Sequence, residues 1–141
     1  MSNDNGINET TEQFSATDMS TAASSGYADG VMAGFVAAWD SMARDIHATA
    51  MDKGWWDKER NDGELIALMH SELSEALEAL RNGNPPDDKV PDSSGVEAEL
   101  ADVVIRIMDA AAARGWRVAE AIQAKAAMNK IRARMHGGKA F

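Results

Sequence analysis

The stretch 63–81, GELIALMHSELSEALEALR, decides the fold. Its apolar residues Leu65, Met69, Leu73, Ala76, Leu77 and Leu80 recur every three or four positions, the stripe of an amphipathic helix. Asn61 stands where a cap is needed, with Glu64 three residues on in capping-box spacing. The turn-forming run 82–86, NGNPP, stops the helix. Two acids break the stripe. Glu72 lies three residues after Met69 and four before Ala76, and Glu75 shares the adjoining row with Leu68. Glu78, by contrast, aligns with Ser71, Ser74 and Arg81 on a polar face and belongs to solvent.

Working outward, a polar loop leads to Ser94, again with Glu97 three residues later, and a third helix starts there. Val96, Leu100, Val103, Val104, Ile107 and Met108 form its apolar side, and it ends near Gly115. Glu99 and Asp102 repeat the i,i+3 acidic spacing, and Arg106 and Asp109 continue that edge. A fourth helix is expected from Val118 to Arg134, closed by Gly137 and Gly138. Upstream, a first helix is expected from about Tyr27 to Met51, with Val31, Phe35, Ala38, Met42 and Ile46 on one face. Gly54 closes it, and Trp55 and Trp56 follow in the connection.

Residues 1–25 are rich in Ser, Thr, Asn and Asp and contain no Lys or Arg, so they read as a disordered or loosely docked arm before a 26–141 domain. No strand pattern competes with these helices. The expected fold is all-α, a helical bundle of about four helices completed by oligomerisation. Met- and Ala-rich faces of the first and fourth helices offer surface for a homodimer or homotetramer.

At 141 residues the chain suits one domain with a real core. Its net charge of −9 argues against nucleic acid or an anionic membrane as partner, because both need a basic surface. A nucleotide stays compatible, since bound metal neutralises acidic ligands locally. The absence of cysteine excludes a disulfide framework, a thiolate metal site and a cysteine nucleophile. No membrane-span pattern and no signal-peptide pattern stands in the sequence, and the expected location is cytoplasmic.

One pair of carboxylates at i,i+3 is ordinary. Two are not. A short connection packs helices two and three antiparallel, so Glu72/Glu75 would face Glu99/Asp102 across one interface. Without a cation such a cluster suffers repulsion and desolvation, and neutralising one acid, as in Glu72→Gln, would relieve it. An all-oxygen donor set suits Mg²⁺, with Mn²⁺ as the alternative. A ferritin-type di-iron site needs Glu-x-x-His on two helices, and none of His47, His70 and His136 follows a Glu by three residues.

Three stretches, 63–81, 95–104 (GVEAELADVV) and 136–139 (HGGK), together with the run from Asn129 through Arg132, resemble the MazG-like all-α nucleotide pyrophosphohydrolases over about residues 45–141. The family pattern is ExxE on one helix and ExxD on the next, and both stand here. Many members carry Glu-Glu-x-x-Glu, whereas Ser71 precedes Glu72 in this chain. The resemblance implies hydrolysis of a nucleoside triphosphate to the monophosphate and pyrophosphate, with water attacking the α-phosphorus. It implies Glu72, Glu75, Glu99 and Asp102 as metal ligands and catalytic carboxylates.

Around that core, Lys125, Asn129, Arg132 and Lys139 are candidates for the phosphates, the first three recurring at helical spacing on the fourth helix. Arg106 and Asp109 either support the metal ligands or meet the nucleotide. Of Trp55 and Trp56, one is expected to stack on the base and the other to plug the core. Asn61 is expected to cap its helix. Some phage members of the family look like deoxyguanosine triphosphate hydrolases, which makes dGTP the substrate guess by analogy. The competing reading is a non-enzymatic helical interaction module with a structural divalent-ion site.

Overall fold

A computed structural model of the chain describes residues 16–132, with side chains from residue 28 onward. Four α-helices follow one another: α1 (Ala16–Asp52), α2 (Asp62–Arg81), α3 (Gly95–Arg114) and α4 (Val118–Ile131). Among the described residues there is no strand, only an isolated bridge between Pro86 and Ser94. The architecture is all-α, as the periodicity requires. No helix among the described residues is long and apolar enough to cross a membrane.

α1 begins at Ala16, earlier than the expected Tyr27, so part of the Ser/Thr-rich segment is helical. The rest of the expected arm, residues 1–15, lies outside the described residues. The chain divides into two compact units, residues 1–34 and residues 35–141, and everything below concerns the second.

Local chemistry sets the helix ends. Asn61 caps α2, its Oδ1 accepting the Glu64 N–H at 2.9 Å. The Glu64 carboxylate turns to Arg60 at 3.5 Å instead of closing the expected capping box. At the start of α3 the Glu97 carboxylate accepts from both the backbone N–H and the hydroxyl of Ser94, at 2.8 and 2.6 Å. Gly54 (φ 78°) turns the chain out of α1 and delivers Trp55 and Trp56; a Cβ there would meet Asp57 Oδ2 at 2.9 Å.

The interface between α2 and α3 is the main helix–helix packing. Gly95 permits it at the loop end, where an added Cβ would meet the Ala79 Cβ at 3.1 Å. The buried apolar residues are small or slender: Ala43, Leu65, Ala76, Met108, Ala110, Ala111 and Ala119. The sequence pattern had placed Leu73, Leu77, Leu80, Leu100 and Val104 inside, and here the structure differs, because each is more than 40% exposed. At 100° per residue, Leu73, Leu77 and Leu80 lie on the flank of α2 away from Glu75, and Leu100 and Val104 on the flank of α3 away from Asp102. The pattern located an apolar stripe correctly, and among the described residues one flank of it stays exposed.

Candidate metal centre and its cleft

Glu72, one turn after Met69 on α2, is the sole charged residue buried among the described residues. Glu75 follows one turn later, and Glu99 projects from α3 across the interface. Each of the three can offer a carboxylate oxygen so that all three atoms lie within 4.8 Å of one another. Asp102 borders the same cleft, one turn beyond Glu99. The antiparallel α2–α3 hairpin therefore brings all four expected carboxylates to one place.

The electrostatic strain falls on Glu99. Desolvation, then the charges of Glu75, Glu72 and Asp102, hold its carboxyl above the ordinary glutamate range, and a hydrogen bond with Glu72 adds to this. Glu72 has a cationic partner, because the Arg106 guanidinium donates to Glu72 Oε1 through both Nε and Nη2. The same guanidinium lies over the Trp55 ring, 5.0 Å from its centroid. Arg106 thus sits four residues beyond Asp102 and is paired with the Glu72 carboxylate.

These groups line an open cleft of about 750 Å³. One face of α1 forms its wall: Met42, Asp45, Ile46, Thr49, Ala50 and Lys53 recur at helical spacing. α3 supplies Glu99, Asp102, Ile105, Arg106 and Asp109. Lys89, from the α2–α3 loop, completes the rim. Met42 and Ile46, expected on one face of the first helix, line the cleft together.

The two tryptophans separate cleanly. Trp55 borders the cleft. Trp56 is half-buried, and its Nε1 donates to Asp109 Oδ1 and Oδ2 at 3.0 and 3.1 Å. His47 adds a contact from Nδ1 to Asp109 Oδ1 at 2.6 Å and meets Trp56 edge-on, ring centroids 5.1 Å apart. Asp109 is therefore an acceptor fixed in place by two rings.

Not every expected site residue converges here. Lys125 and Asn129 are exposed on α4, Arg132 follows its end, and none of the three borders the cleft. Lys139 lies outside the described residues. Conversely, Asp45, Thr49, Lys53, Lys89 and His47 belong to the cleft or its support although the sequence reading passed over them. Asp45, Thr49 and Lys53 stand at i, i+4 and i+8 beside the apolar face of α1, a polar row that could have marked them. For Lys89, alone in a loop, there was no such signal.

No family model, no curated protein and no solved structure matches this chain.

Proposed function

We propose that the protein is a divalent-metal-dependent pyrophosphohydrolase that converts a nucleoside triphosphate and water to the monophosphate and pyrophosphate. The observation that carries this reading is the convergence of Glu72, Glu75 and Glu99 on one point, with Asp102 alongside, at the floor of a cleft large enough for a nucleotide. An acidic trio on a helix interface is costly even with Arg106 on Glu72, and the raised Glu99 carboxyl agrees with that cost. The donor set, oxygen only, fits Mg²⁺ or Mn²⁺. The resemblance to MazG-like enzymes points to the same four residues.

Glu72, Glu75, Glu99 and Asp102 would hold the metal. Bound there, it supplies charge neutralisation for the phosphates and acidifies a coordinated water. The chain's own residues supply the rest. Trp55 keeps an exposed part of its ring beside the Arg106 and Arg60 guanidiniums, and a base packed there would gain up to the roughly 1–3 kcal/mol of base–aromatic stacking. Arg106 holds the Glu72 carboxylate in place from the side. The Asp109 carboxylate, engaged by Trp56 and His47, holds these rings beside the cleft; the dGTP expectation rests on the resemblance alone. Water attacks the α-phosphorus, the P–O bond to the β-phosphate breaks, and a cleft carboxylate receives the proton.

A second reading has its own support. The exposed leucines of α2 and α3 could serve a purely interactive helical module. On the enzyme reading, the same residues are covered by a second copy in a homodimer or homotetramer. Pyrophosphate release from a panel of ribo- and deoxyribonucleoside triphosphates, with Mg²⁺, with Mn²⁺ and with chelator, separates the two. Metal-dependent release favouring dGTP is the expected result. No release from any nucleotide with either metal would overturn the enzyme reading.

A further inference from the structure

The cleft is acidic: Glu72, Glu75, Glu99, Asp102, Asp45 and Asp109 all line it. A polyphosphate entering it meets repulsion everywhere except where a fixed cation stands. The α4 cations expected for that task do not border the cleft, and three others do: Arg106, Lys53 and Lys89. Arg106 is committed to Glu72 and stacked over Trp55. Lys53 has only its exposed neighbour Asp52 at 3.6 Å, a pairing of negligible strength at that exposure. Lys89 has no carboxylate oxygen within 4.0 Å among the described residues, and its charge acts only at longer range on the exposed Asp87 of its own loop.

The position of Lys89 is built, not incidental. Asp87 Oδ1 accepts the backbone N–H groups of Lys89 and Val90 at 2.9 and 2.8 Å. The Asp87 N–H donates to Ser93 O at 2.9 Å, and Ser93 N–H to Val90 O at 2.8 Å. Asn84 Oδ1 accepts from Val96 N–H at 2.9 Å, and Gly95 N–H donates to Pro85 O at 2.8 Å. The loop is thus closed on itself and fastened to the first turn of α3, the helix that carries Glu99 and Asp102. A lysine whose backbone is ordered before binding loses less freedom when it grips a ligand.

We propose that Lys89, with Lys53 as a second arm from α1, seats the terminal phosphates of the substrate, so that the cleft rim and not α4 holds the pyrophosphate leaving group. This deepens the pyrophosphohydrolase reading and rests on it for the identity of the substrate. Its chemistry is electrostatic: ammonium groups at the rim meet the charge that develops on the departing pyrophosphate.

The test is calorimetric titration of inorganic pyrophosphate, in Mg²⁺, into the wild-type protein and into Lys89→Ala, Lys89→Arg, Lys53→Ala, Lys125→Ala and Lys130→Ala, each checked for an unchanged helical spectrum. Lys89→Ala should weaken pyrophosphate binding roughly 10-fold or more, the scale of one charge-assisted hydrogen bond. Lys89→Arg should keep most of the affinity, Lys53→Ala should lose less than Lys89→Ala, and Lys130→Ala should lose nothing. Deoxyguanosine monophosphate should bind Lys89→Ala as it binds the wild type. Unchanged pyrophosphate affinity in Lys89→Ala, a loss confined to Lys125→Ala, or no binding of pyrophosphate by the wild type would overturn the proposal. Wild-type hydrolysis followed in parallel keeps the two ideas apart. Turnover with no effect of Lys89 removes the phosphate seat alone, while Lys89-dependent pyrophosphate binding without turnover removes the enzyme reading alone.

Discussion

Arg106 reaches across from α3 to hold the buried carboxylate of Glu72 on α2, donating from both Nε and Nη2 to the same oxygen. The pair joins the two helices at the point where the acids converge. The Glu72 side chain is 7% exposed and that of Arg106 21%. A charge so little exposed costs several kcal/mol if its partner is removed.

Arg106→Met, which keeps much of the stem's apolar packing, should therefore destabilise the metal-free protein by about 3 kcal/mol, the low end for a broken buried pair because the guanidinium is partly wet. Millimolar Mg²⁺ or Mn²⁺ should recover much of the loss by supplying another cation to Glu72. Urea unfolding with chelator and with metal measures both. An equal loss in the two buffers would mean that Arg106 serves packing alone.

The same pair reverses an expectation drawn from the sequence. Four acids and no partner predict that Glu72→Gln stabilises the metal-free protein by relieving repulsion. With Arg106 committed to Glu72, neutralising the acid leaves a guanidinium without its counter-charge. Glu72→Gln should abolish pyrophosphate release and also lower the thermal midpoint in chelator, by a few degrees for roughly 1 kcal/mol in a chain of this size. A higher midpoint would show that repulsion among the acids outweighs the ion pair.

That reversal marks where the sequence stops being readable. Helical periodicity located α2, α3 and the start of α4, and i,i+3 spacing placed Glu72, Glu75, Glu99 and Asp102 on facing edges, because both depend only on local geometry. The commitment of Arg106 to Glu72 depends on how two helices meet, and no spacing within one helix reveals it. Trp55 and Trp56 are adjacent and chemically identical; only the position of Asp109 decides that Trp56 is tied down and Trp55 faces the cleft. Lys89 belongs to the cleft because a hydrogen-bonded loop folds back on α3, a long-range consequence of Asn84 and Asp87. The exposure of Leu73 and Leu77 was unreadable for another reason, since an apolar stripe looks the same whether its cover comes from the same chain or from another.

Asp109 gives a prediction about the support of the cleft. Both of its oxygens accept the Trp56 N–H, and Oδ1 also meets His47. Asp109→Asn puts a donor against the Trp56 N–H, so the thermal midpoint should fall and the KM values for dGTP and dATP should rise together. A change confined to dGTP would assign Asp109 to base selection instead.

The Glu99 carboxyl predicts a pH dependence. Its pKa in the folded protein is raised above the ordinary 4.5, mainly by desolvation and then by Glu75, Glu72 and Asp102. A group raised in this direction contributes stability below its unfolded value and loses it as pH climbs through the folded value. In chelator, the thermal midpoint should therefore rise as pH falls from neutral toward the ordinary glutamate value, and Glu99→Gln should flatten that slope. Asp87, Glu97 and Glu120 act in the opposite sense, since their hydrogen bonds depress them, but their window lies below their ordinary values of 3.8 and 4.5. Mg²⁺ affinity should fall over the window in which stability rises, because ion and proton compete for Glu99. A Glu99→Gln protein with the wild-type slope would locate the titration elsewhere.

The exposed flank of the α2–α3 hairpin carries the last prediction. Leu73, Leu77 and Leu80 stand 44%, 48% and 55% exposed, beside Leu100 and Val104 at 47% and 41%. Their alignment on the side away from the acids makes one continuous apolar surface, larger in character than scattered surface leucines. Burying such a surface against its own copy offsets the cost of association and satisfies both chains by a single two-fold axis. Light scattering should give the wild type at least twice the mass of one chain. Leu77→Glu, which puts a charge at the centre of the patch, should shift it toward one chain while leaving the helical spectrum intact. If the wild type is monomeric at high micromolar concentration, the flank is open to a different protein and the interaction reading gains at the expense of self-assembly. If Leu77→Glu dissociates the assembly and turnover falls with it, the cleft depends on the second copy, even though every carboxylate it needs comes from one.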